Sequence, residues 1–474
     1  MQYKPTIGLE IHAELKTKSK MFCSCRNDSL ERHPNVNICP VCTGQPGVLP
    51  VINEDAVRKV IKTGLALNCQ ISEESKFDRK NYFYPDLPKN YQISQYYFPL
   101  CRKGYLEIGG KKVRIREVHL EEDTGRLVHP GGVDYSLVDF NRAGVPLMEL
   151  ATEPDLNSAD QARVFAEELQ LIFRYLGVSD ADMEKGQMRV EANISLGGGS
   201  KLGTKVEIKN LNSFRAVEKG IEYEIQRQRK LLQSGEKVIQ ETRGWNATKS
   251  VTVSQREKEQ AHDYRYFPEP DLPPLSFTKK FIDEARKELP ELPALRRERF
   301  EKEYGIEEKA IEVFVWNKDL GEYFEKVMSE LGDRKLARLA SNYMISDLLG
   351  LLQKASVAGE NFRIVPEDFA KFVKLIERGE ISSKIAKAVL TEMFSTGKDP
   401  SQVIEEKGLT QIKDETQIEN IIKEVISENQ KAVNDFKKGK ETALQFLIGQ
   451  VMQRSRGRAN PGMVQKSLRK FLRG

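Results

Sequence analysis

Strict two-residue alternation marks two stretches of the chain. From Thr6 to Leu15, Ile7, Leu9, Ile11, Ala13 and Leu15 face one way, and Gly8, Glu10, His12 and Glu14 face the other. From Met188 to Leu196, Met188, Val190, Ala192, Ile194 and Leu196 oppose Arg189, Glu191, Asn193 and Ser195. A period of two is the signature of a strand buried on one face only. Gly197-Gly198-Gly199 supplies a turn after the second strand, and Lys205 to Asn210 reads as its returning partner. These strands predict a sheet with one wholly apolar face and one face free for polar chemistry.

Helices interrupt the sheet pattern. One is predicted from Ser158, a side-chain N-cap, to Gly177, a C-terminal stop, and another from about Phe214 to Gly235. Pro268, Pro270, Pro273 and Pro274 mark a loop. After Leu292-Pro293 strand signals cease and helical periodicity takes over, broken at Gly332, Gly359, Gly379 and the Gly397–Pro400 stretch. At 474 residues, about three domains are expected. The predicted class is α+β: a mixed-sheet domain over 1–292, an all-helical domain over 293–405 and a small helical tail domain over 406–474. No apolar run approaches the ~20 residues of a membrane helix, and the first residues lead straight into a strand with no signal-peptide core, so a cytoplasmic protein is expected.

The net charge of +5 is unevenly spread. From Lys437 onward ten basic residues face a single acid, Glu441, leaving the rest of the chain net acidic. Such a basic terminal module suits a polyanion such as nucleic acid, or is a solvated lysine-rich surface.

Four of six cysteines cluster as Cys23-Ser24-Cys25 and Cys39-Pro40-Val41-Cys42. Two close thiol pairs joined by a short loop match a structural Zn²⁺ site, closed by four protein ligands and so not catalytic; the alternatives are buried free thiols or disulfides, and a cytosolic chain rarely keeps the latter. Cys69 and Cys101 stand apart and read as ordinary buried thiols. Glu10 and His12 share a strand face, the acidic run His119-Leu120-Glu121-Glu122-Asp123 sits at a strand end, and Glu149, Glu191 and Glu207 lie on or near other strands. Glu10 and His12 alone read equally as a solvent-facing strand surface; with the further acids, oxygen donors with at most one histidine favour Mg²⁺, which commonly serves a phosphate-bearing substrate. The Gly198–Lys205 stretch has Thr-Lys where a P-loop needs Lys-Ser/Thr, and no serine elbow or other nucleophile signature is found. Between Lys80 and Gln95, tyrosines interleaved with Lys, Asn and Gln form a loop able to stack bases, or simply to pack on the sheet.

Taken together, these segments resemble the B subunits of the bacterial tRNA-dependent amidotransferases, the GatB family. The matching strings are GLEIH at 8–12, the cysteine pairs, 77–95, HLEEDTG at 119–125, DFNRAGVPL at 139–147 and GTKVEIKNLNSF at 203–214. DYRYFPEP at 263–270, FLIGQ at 446–450 and ANP at 459–461 extend the resemblance nearly end to end. The resemblance implies a cradle domain that uses ATP and Mg²⁺ to phosphorylate the side-chain carboxylate of Glu or Asp on mischarged Glu-tRNA(Gln) or Asp-tRNA(Asn), followed by displacement by ammonia. It implies a heterotrimer with the amidase GatA, which makes the ammonia from glutamine, and the small protein GatC. Glu10, His12 and Glu122 would then be catalytic metal ligands, with Glu149, Glu191 and Glu207 further Mg²⁺ ligands. Lys80 and Lys89 would lie along the ammonia route. The tail would hold tRNA, with Arg454, Arg456, Arg458, Lys466, Arg469 and Lys470 as its basic contacts. Where the family commonly has Cys-Asp-Ala-Asn, this chain has Val190-Glu191-Ala192-Asn193, one methylene longer at the acid. The competing expectation is a non-catalytic tRNA-binding scaffold of the same complex.

Overall fold

The computed structural model describes residues 3–198, 201–257, 264–353, 355–409, 415–455 and 458–473. Gly199, Ser200, Asp263 and Arg456, singled out in the sequence, lie outside them. The chain divides into two compact units, Met1–Pro293 and Ala294–Gly474.

The first unit is built on a nine-stranded mixed sheet. Its strands are β1 (Tyr3–Glu14), β2 (Gln70–Ile71), β3 (Cys101–Ile108), β4 (Lys111–Glu122), β5 (Pro146–Thr152), β6 (Met188–Gly198), β7 (Val206–Leu211), β8 (Glu241–Asn246) and β9 (Val251–Glu257). The spatial order is β9-β8-β7-β6-β1-β5-β4-β3-β2. All neighbours are antiparallel except β7 and β8, which run parallel. β1 is central, and the two alternating stretches pair directly: Ile7 lies opposite Ile194, Glu10 opposite Glu191 and His12 opposite Arg189. β6 and β7 pair antiparallel, as the glycine-rich turn implies.

Three helices cover the apolar face: α1 (Glu54–Ala66), α2 (Ala159–Leu176) and α3 (Phe214–Gln233). Each begins on a side-chain cap. Asn53 accepts from Ala56 N, Ser158 from Gln161 N and Ser213 from Ala216 N, satisfying amides that a helix start leaves orphaned. Gly177 ends α2 in the left-handed conformation (φ 64°), as the sequence predicts. Ile7, Leu9, Ile11, Val190, Ile194, Phe165, Leu169, Val217 and Ile221 form one continuous core between sheet and helices. Burying this face fixes the sheet's register, because a one-residue slip would turn the polar set inward.

The Lys80–Gln95 segment, expected as a loop, is a short hairpin at both ends. Asp78–Asn81 pairs with Tyr91–Ser94, and Phe267–Pro268 adds a third strand beside the first.

The second unit contains helices and no strand among its described residues. Phe314 stacks on Phe324 with ring centroids 4.5 Å apart, and Phe300 lies beside both. Its last helices, Glu415–Glu428, Gln430–Lys437, Glu441–Arg454 and Pro461–Arg473, share a separate core that includes Ile418, Ile422, Leu444, Leu447, Val464 and Leu468. No helix of the described residues is long and apolar enough to cross a membrane.

Candidate functional site

The uncovered face of the sheet carries the polar half of each alternating strand. One row crosses three strands in register: His119 on β4 lies opposite Glu149 on β5, which lies opposite His12 on β1. Two residues along each strand, Glu10 and Glu121 join the same face. His119 Nε2 is 3.2 Å and His12 Nε2 3.4 Å from Glu149 Oε2, so one carboxylate bridges both imidazoles. Glu121 Oε1 is 3.6 Å and Glu10 Oε1 3.9 Å from His12 Nε2. Glu10, His12 and Glu149 form one group of convergent donor atoms, and His119, Glu121 and Glu149 a second that shares Glu149.

The electrostatics follow from this crowding. Burial, reinforced by Glu149, raises the Glu10 carboxyl to about 7. Burial alone would depress His12, but its hydrogen bond to Glu149 and the charges of Glu149, Glu121 and Glu10 outweigh that and raise it to about 9. Glu149 is held well below the usual carboxylate range by His119 and His12, despite burial. Burial and Glu149 push Glu121 up. Carboxylates forced together in a poorly solvated site are under-neutralised, which is the condition that a bound cation relieves. Hard oxygen donors with imidazole nitrogens fit a divalent cation of the Mg²⁺ or Mn²⁺ kind.

The cluster opens into a cavity of about 820 Å³. Glu10, His119, Glu149 and Glu207 line one part, and Lys80, Arg116, Lys205 and Lys209 bring positive charge to it. Tyr96, Tyr264 and Tyr266 contribute aromatic wall, with Tyr96 stacked on Tyr266 at 4.1 Å between centroids. Acids that can hold a cation, beside lysines and arginine that can meet anionic oxygens, suit a metal-bound phosphate ester.

The remaining expected ligands are placed differently. Glu122 is not brought to the cluster. Alternation along β4 puts it on the face opposite His119 and Glu121, where its carboxylate pairs with Lys89 Nζ and accepts from Ile93 N at 3.0 Å. Glu191 shares the open face, directly across from Glu10, but its Oε2 is 2.7 Å from Lys209 Nζ. Glu207 lies opposite Asn193 and accepts from Thr242 Oγ1 at 2.6 Å. Lys80 lines the cavity, with its ammonium 5.1 Å from the Tyr264 ring centre. Burial would lower the Lys80 pKa, but Glu121, Tyr266 and Glu149 raise it instead.

Sequence reasoning passes over His119 and Glu121 as ligands, and Arg116, Lys205 and Lys209 as cavity cations. The signal for the first two is present: Leu120 is apolar, so its neighbours on β4 must face outward.

The cysteine pairs converge. All four Sγ atoms lie within 4.8 Å of one another, whereas a tetrahedral Zn–S site has S···S separations of ~3.8 Å. The first pair sits on a tight turn closed by Lys20 N donating to Cys25 O at 2.9 Å. The second sits on a turn in which Cys39 N donates to Cys42 Sγ at 3.2 Å and Cys42 Sγ donates to Cys39 O at 3.6 Å. The hydrogen bond from Cys23, with help from Lys20, holds the Cys42 thiol down to about 5, although burial opposes this. The cluster can bind a metal ion. Cys69 and Cys101 are buried and unpaired to any thiol.

Two glycines let this turn approach the Lys89–Glu122 pair. Gly44 has φ +68°, and a Cβ there would lie 2.7 Å from Lys89 Cγ. Gly144 has φ +83°, and its Cβ position faces Cys42, Lys20 and Glu122. Neither place admits a side chain without strain.

In the second unit, Arg454 pairs with Glu428 at 2.9 Å and Arg469 with Glu441 at 2.9 Å. Arg458 Nε donates to Ser455 O at 3.4 Å.

Comparison with known proteins first sets the class. A family model described as the GatB/GatE catalytic domain matches residues 5–283, the part that carries the sheet and both donor clusters. A model described as the GatB domain matches residues 322–472. The chain is 51% identical, over the full length of both proteins, to the B subunit of the aspartyl/glutamyl-tRNA(Asn/Gln) amidotransferase of Thermotoga maritima. It is 49% identical to the B subunit of the same name from Carboxydothermus hydrogenoformans, covering 99% of this chain and 98% of that one. The chain belongs to the family of aspartyl/glutamyl-tRNA(Asn/Gln) amidotransferase B subunits, and is thus a component of a ligase-type amidotransferase.

Proposed function

We propose that the chain activates the side-chain carboxylate of Glu or Asp on mischarged Glu-tRNA(Gln) or Asp-tRNA(Asn) with ATP, and then transfers ammonia to it. The observation that carries this reading is the His119–Glu149–His12 row, flanked by Glu10 and Glu121, beside a cavity that Glu10, His119 and Glu149 line together with Lys80, Arg116, Lys205 and Lys209.

The chemistry explains such a site. A carboxylate resists amidation because its leaving group would be oxide. Attack of a carboxylate oxygen on the γ-phosphorus of ATP releases ADP and leaves an acyl phosphate. Ammonia then attacks the acyl carbon, inorganic phosphate departs, and the nitrogen sheds a proton as the amide forms. Both steps are served by positioning and charge stabilisation, so no covalent nucleophile of the protein is required. Mg²⁺, when bound, neutralises phosphate charge. Glu10, His12 and Glu149, with His119 and Glu121, would hold it. Lys205, Lys209 and Arg116 would meet phosphate oxygens, while Glu207 and Glu191 would act at the margin, each already engaged by a neighbour. Lys80 and the Lys89–Glu122 pair would lie along the ammonia route.

The four-thiol cluster would hold a structural Zn²⁺, its donor set matching in kind and spacing. Residues 1–292 would form the catalytic cradle, 293–405 a helical domain and 406–474 a tRNA-holding tail. In that tail Arg454, Arg458, Lys466, Arg469 and Lys470 are the candidate phosphate contacts. The chain would act in the cytoplasm as part of a heterotrimer with the amidase GatA and the small protein GatC.

The test is an ammonium-supported assay on the whole complex with the amidase nucleophile disabled. Given ATP, Mg²⁺ and Glu-tRNA or Asp-tRNA, the expected result is ATP hydrolysis coupled to Gln-tRNA or Asn-tRNA. A folded complex that binds both tRNAs yet amidates neither would replace this reading with the non-catalytic scaffold.

A further inference from the structure

β4 carries His119 and Glu121 at one end and a row of cations at the other. Val113, Ile115, Val118 and Leu120 are buried in the core, so Lys112 and Arg114 share the open face with His119 and Glu121. Arg116 joins them through a bulge. Ala151 of β5 pairs with Glu117 and Thr152 with Ile115, which leaves Arg116 as the extra residue. On the other flank, β3 pairs Arg102 with Glu117 and Gly104 with Ile115. Lys103 between them takes φ +53°, a conformation unfavourable for a residue with a side chain. The strands are thus distorted where Lys103 and Arg116 are both exposed.

Lys111, Lys112, Arg114 and Arg116, with Arg102 and Lys103, line a groove of about 960 Å³ whose acids are Glu117, Glu153 and Asp155. Asp155 is taken by Arg114 at 2.7 Å, and Glu117 lies 3.3 Å from Arg116. The other four cations have no carboxylate partner among the described residues. Arg102 donates to Tyr97 O at 2.6 Å, and Lys111 to Asp155 O, Asn157 Oδ1 and Gln161 Oε1, all neutral acceptors. The Lys112 ammonium lies 4.5 Å from the Tyr105 ring centre. Cations crowded in this way draw an anion. A small anion needs donors that converge on one point. These are instead strung along two strands, alternate residues ~7 Å apart, which suits a polyanion with regularly spaced charges. Arg116 lines both this groove and the cavity that Glu10, His119 and Glu149 line, so the basic row begins at the candidate site. We propose that the groove is a track for the phosphate backbone of the tRNA, holding the stretch next to its aminoacylated end as it leaves the cavity, in addition to the tail contacts named above. The proposal rests on the reading of tRNA as substrate.

The test uses the whole complex and measures binding of Glu-tRNA(Gln) and Asp-tRNA(Asn) over a series of salt concentrations. Lys103→Gln with Lys112→Gln removes two unpaired charges of the groove and touches none of the groups placed at the reaction site. At low salt this pair is expected to weaken tRNA binding about tenfold, and to make the fall of log affinity with log salt shallower by about two. The Michaelis constant for tRNA should rise by a similar factor, with kcat and the ATP requirement unchanged. Lys279→Gln with Lys280→Gln, on the helix Lys279–Lys287 of the same unit, makes the same change in net charge and should leave affinity and slope as in wild type. Unchanged binding in the folded groove variant, or a loss no larger than in the Lys279/Lys280 control, overturns the proposal. So does a groove variant that binds tRNA normally but no longer assembles with the other subunits, which would give the surface to a protein partner. Should Lys103→Gln with Lys112→Gln not fold, Arg102→Gln with Lys112→Gln makes the same comparison. Because binding is read apart from amidation, a complex that binds tRNA without amidating it still tests the groove. Wild-type complex that binds neither tRNA would instead remove the substrate reading itself, and the proposal with it.

Discussion

The histidine–carboxylate cluster draws its donors from three strands of one sheet, whereas the four thiols come from two turns within twenty residues. The first opens on a cavity and holds more carboxylates than its histidines neutralise. The second has four soft donors and leaves no fifth position. On the function proposed above, ligand type and coordination space would give them different work: a hard-cation site that admits substrate, and a soft-cation site that ties two turns together. The difference also governs how a substitution should travel. Loss of a donor from the sheet removes chemistry but leaves a core of Ile7, Leu9 and Ile11 untouched. Loss from the turns would be expected to loosen the wall beside Lys89, where Gly44 packs against it.

The sharpest way to break this division is Glu149→Ala. Glu149 is the one carboxylate shared by both donor groups of the open face. Its removal is expected to lower amidation by about a thousandfold or more, with Zn²⁺ content and tRNA binding unchanged. Initial rates of Gln-tRNA formation, beside metal analysis of the same preparation, make the comparison. Loss of Zn²⁺ or of fold would mean that the two clusters are not independent.

The Lys89–Glu122 pair lies between the two regions and is the second way to sharpen the contrast. Both side chains are largely buried, 11% and 5% exposed. Breaking a buried pair from one side strands the other charge, at a cost of about 3 kcal/mol. Glu122→Gln alone should destabilise the chain by roughly that amount in urea melts, without Mg²⁺ present. Glu122→Gln combined with Lys89→Met should recover most of it. Additive losses would show that Glu122 is not paired in this sense and would return it to the candidate cation ligands.

Glu122 also shows what one strand's sequence does and does not reveal. The apolar faces of β1 and β6 are legible from period two alone, as are the caps Ser158 and Gly177 and the spacing of the thiols. All are local signals, within a few residues of one another. The partition of His119-Leu120-Glu121-Glu122-Asp123 depends on phase, and an acidic run obscures phase unless Leu120 is read as the inward residue. The bridging role of Glu149 depends on the register of three strands, and no single strand's pattern carries it. Lys209 against Glu191 and Arg189 against Asp123, at 2.7 Å each, are likewise pairings across the sheet. The Lys80–Gln95 segment reads as a loop because its polar and aromatic residues do not alternate. It forms strands by pairing 91–94 with 78–81, with Ile93 buried in the core and Phe267–Pro268 added alongside.

The smallest expected effect separates acids that merely share the open face from those that converge. Glu191 stands in register with Glu10, so sequence position alone would rank them together. Lys209 already neutralises Glu191, and the pair is only part-buried, with 39% of the lysine side chain and 18% of the glutamate exposed. A carboxylate so engaged must release its lysine before it can take a cation, and that exchange returns little net energy in a partly solvated setting. Glu191→Gln should therefore slow amidation by no more than about tenfold, about 1.4 kcal/mol in the barrier, and should leave the Mg²⁺ concentration for half-maximal rate within a factor of about three. Full rate profiles against Mg²⁺ for Glu191→Gln and Glu10→Gln, measured side by side, decide the point. A shift in Mg²⁺ requirement as large for Glu191 as for Glu10 would place both in direct contact with the cation and extend the cluster from three strands to four.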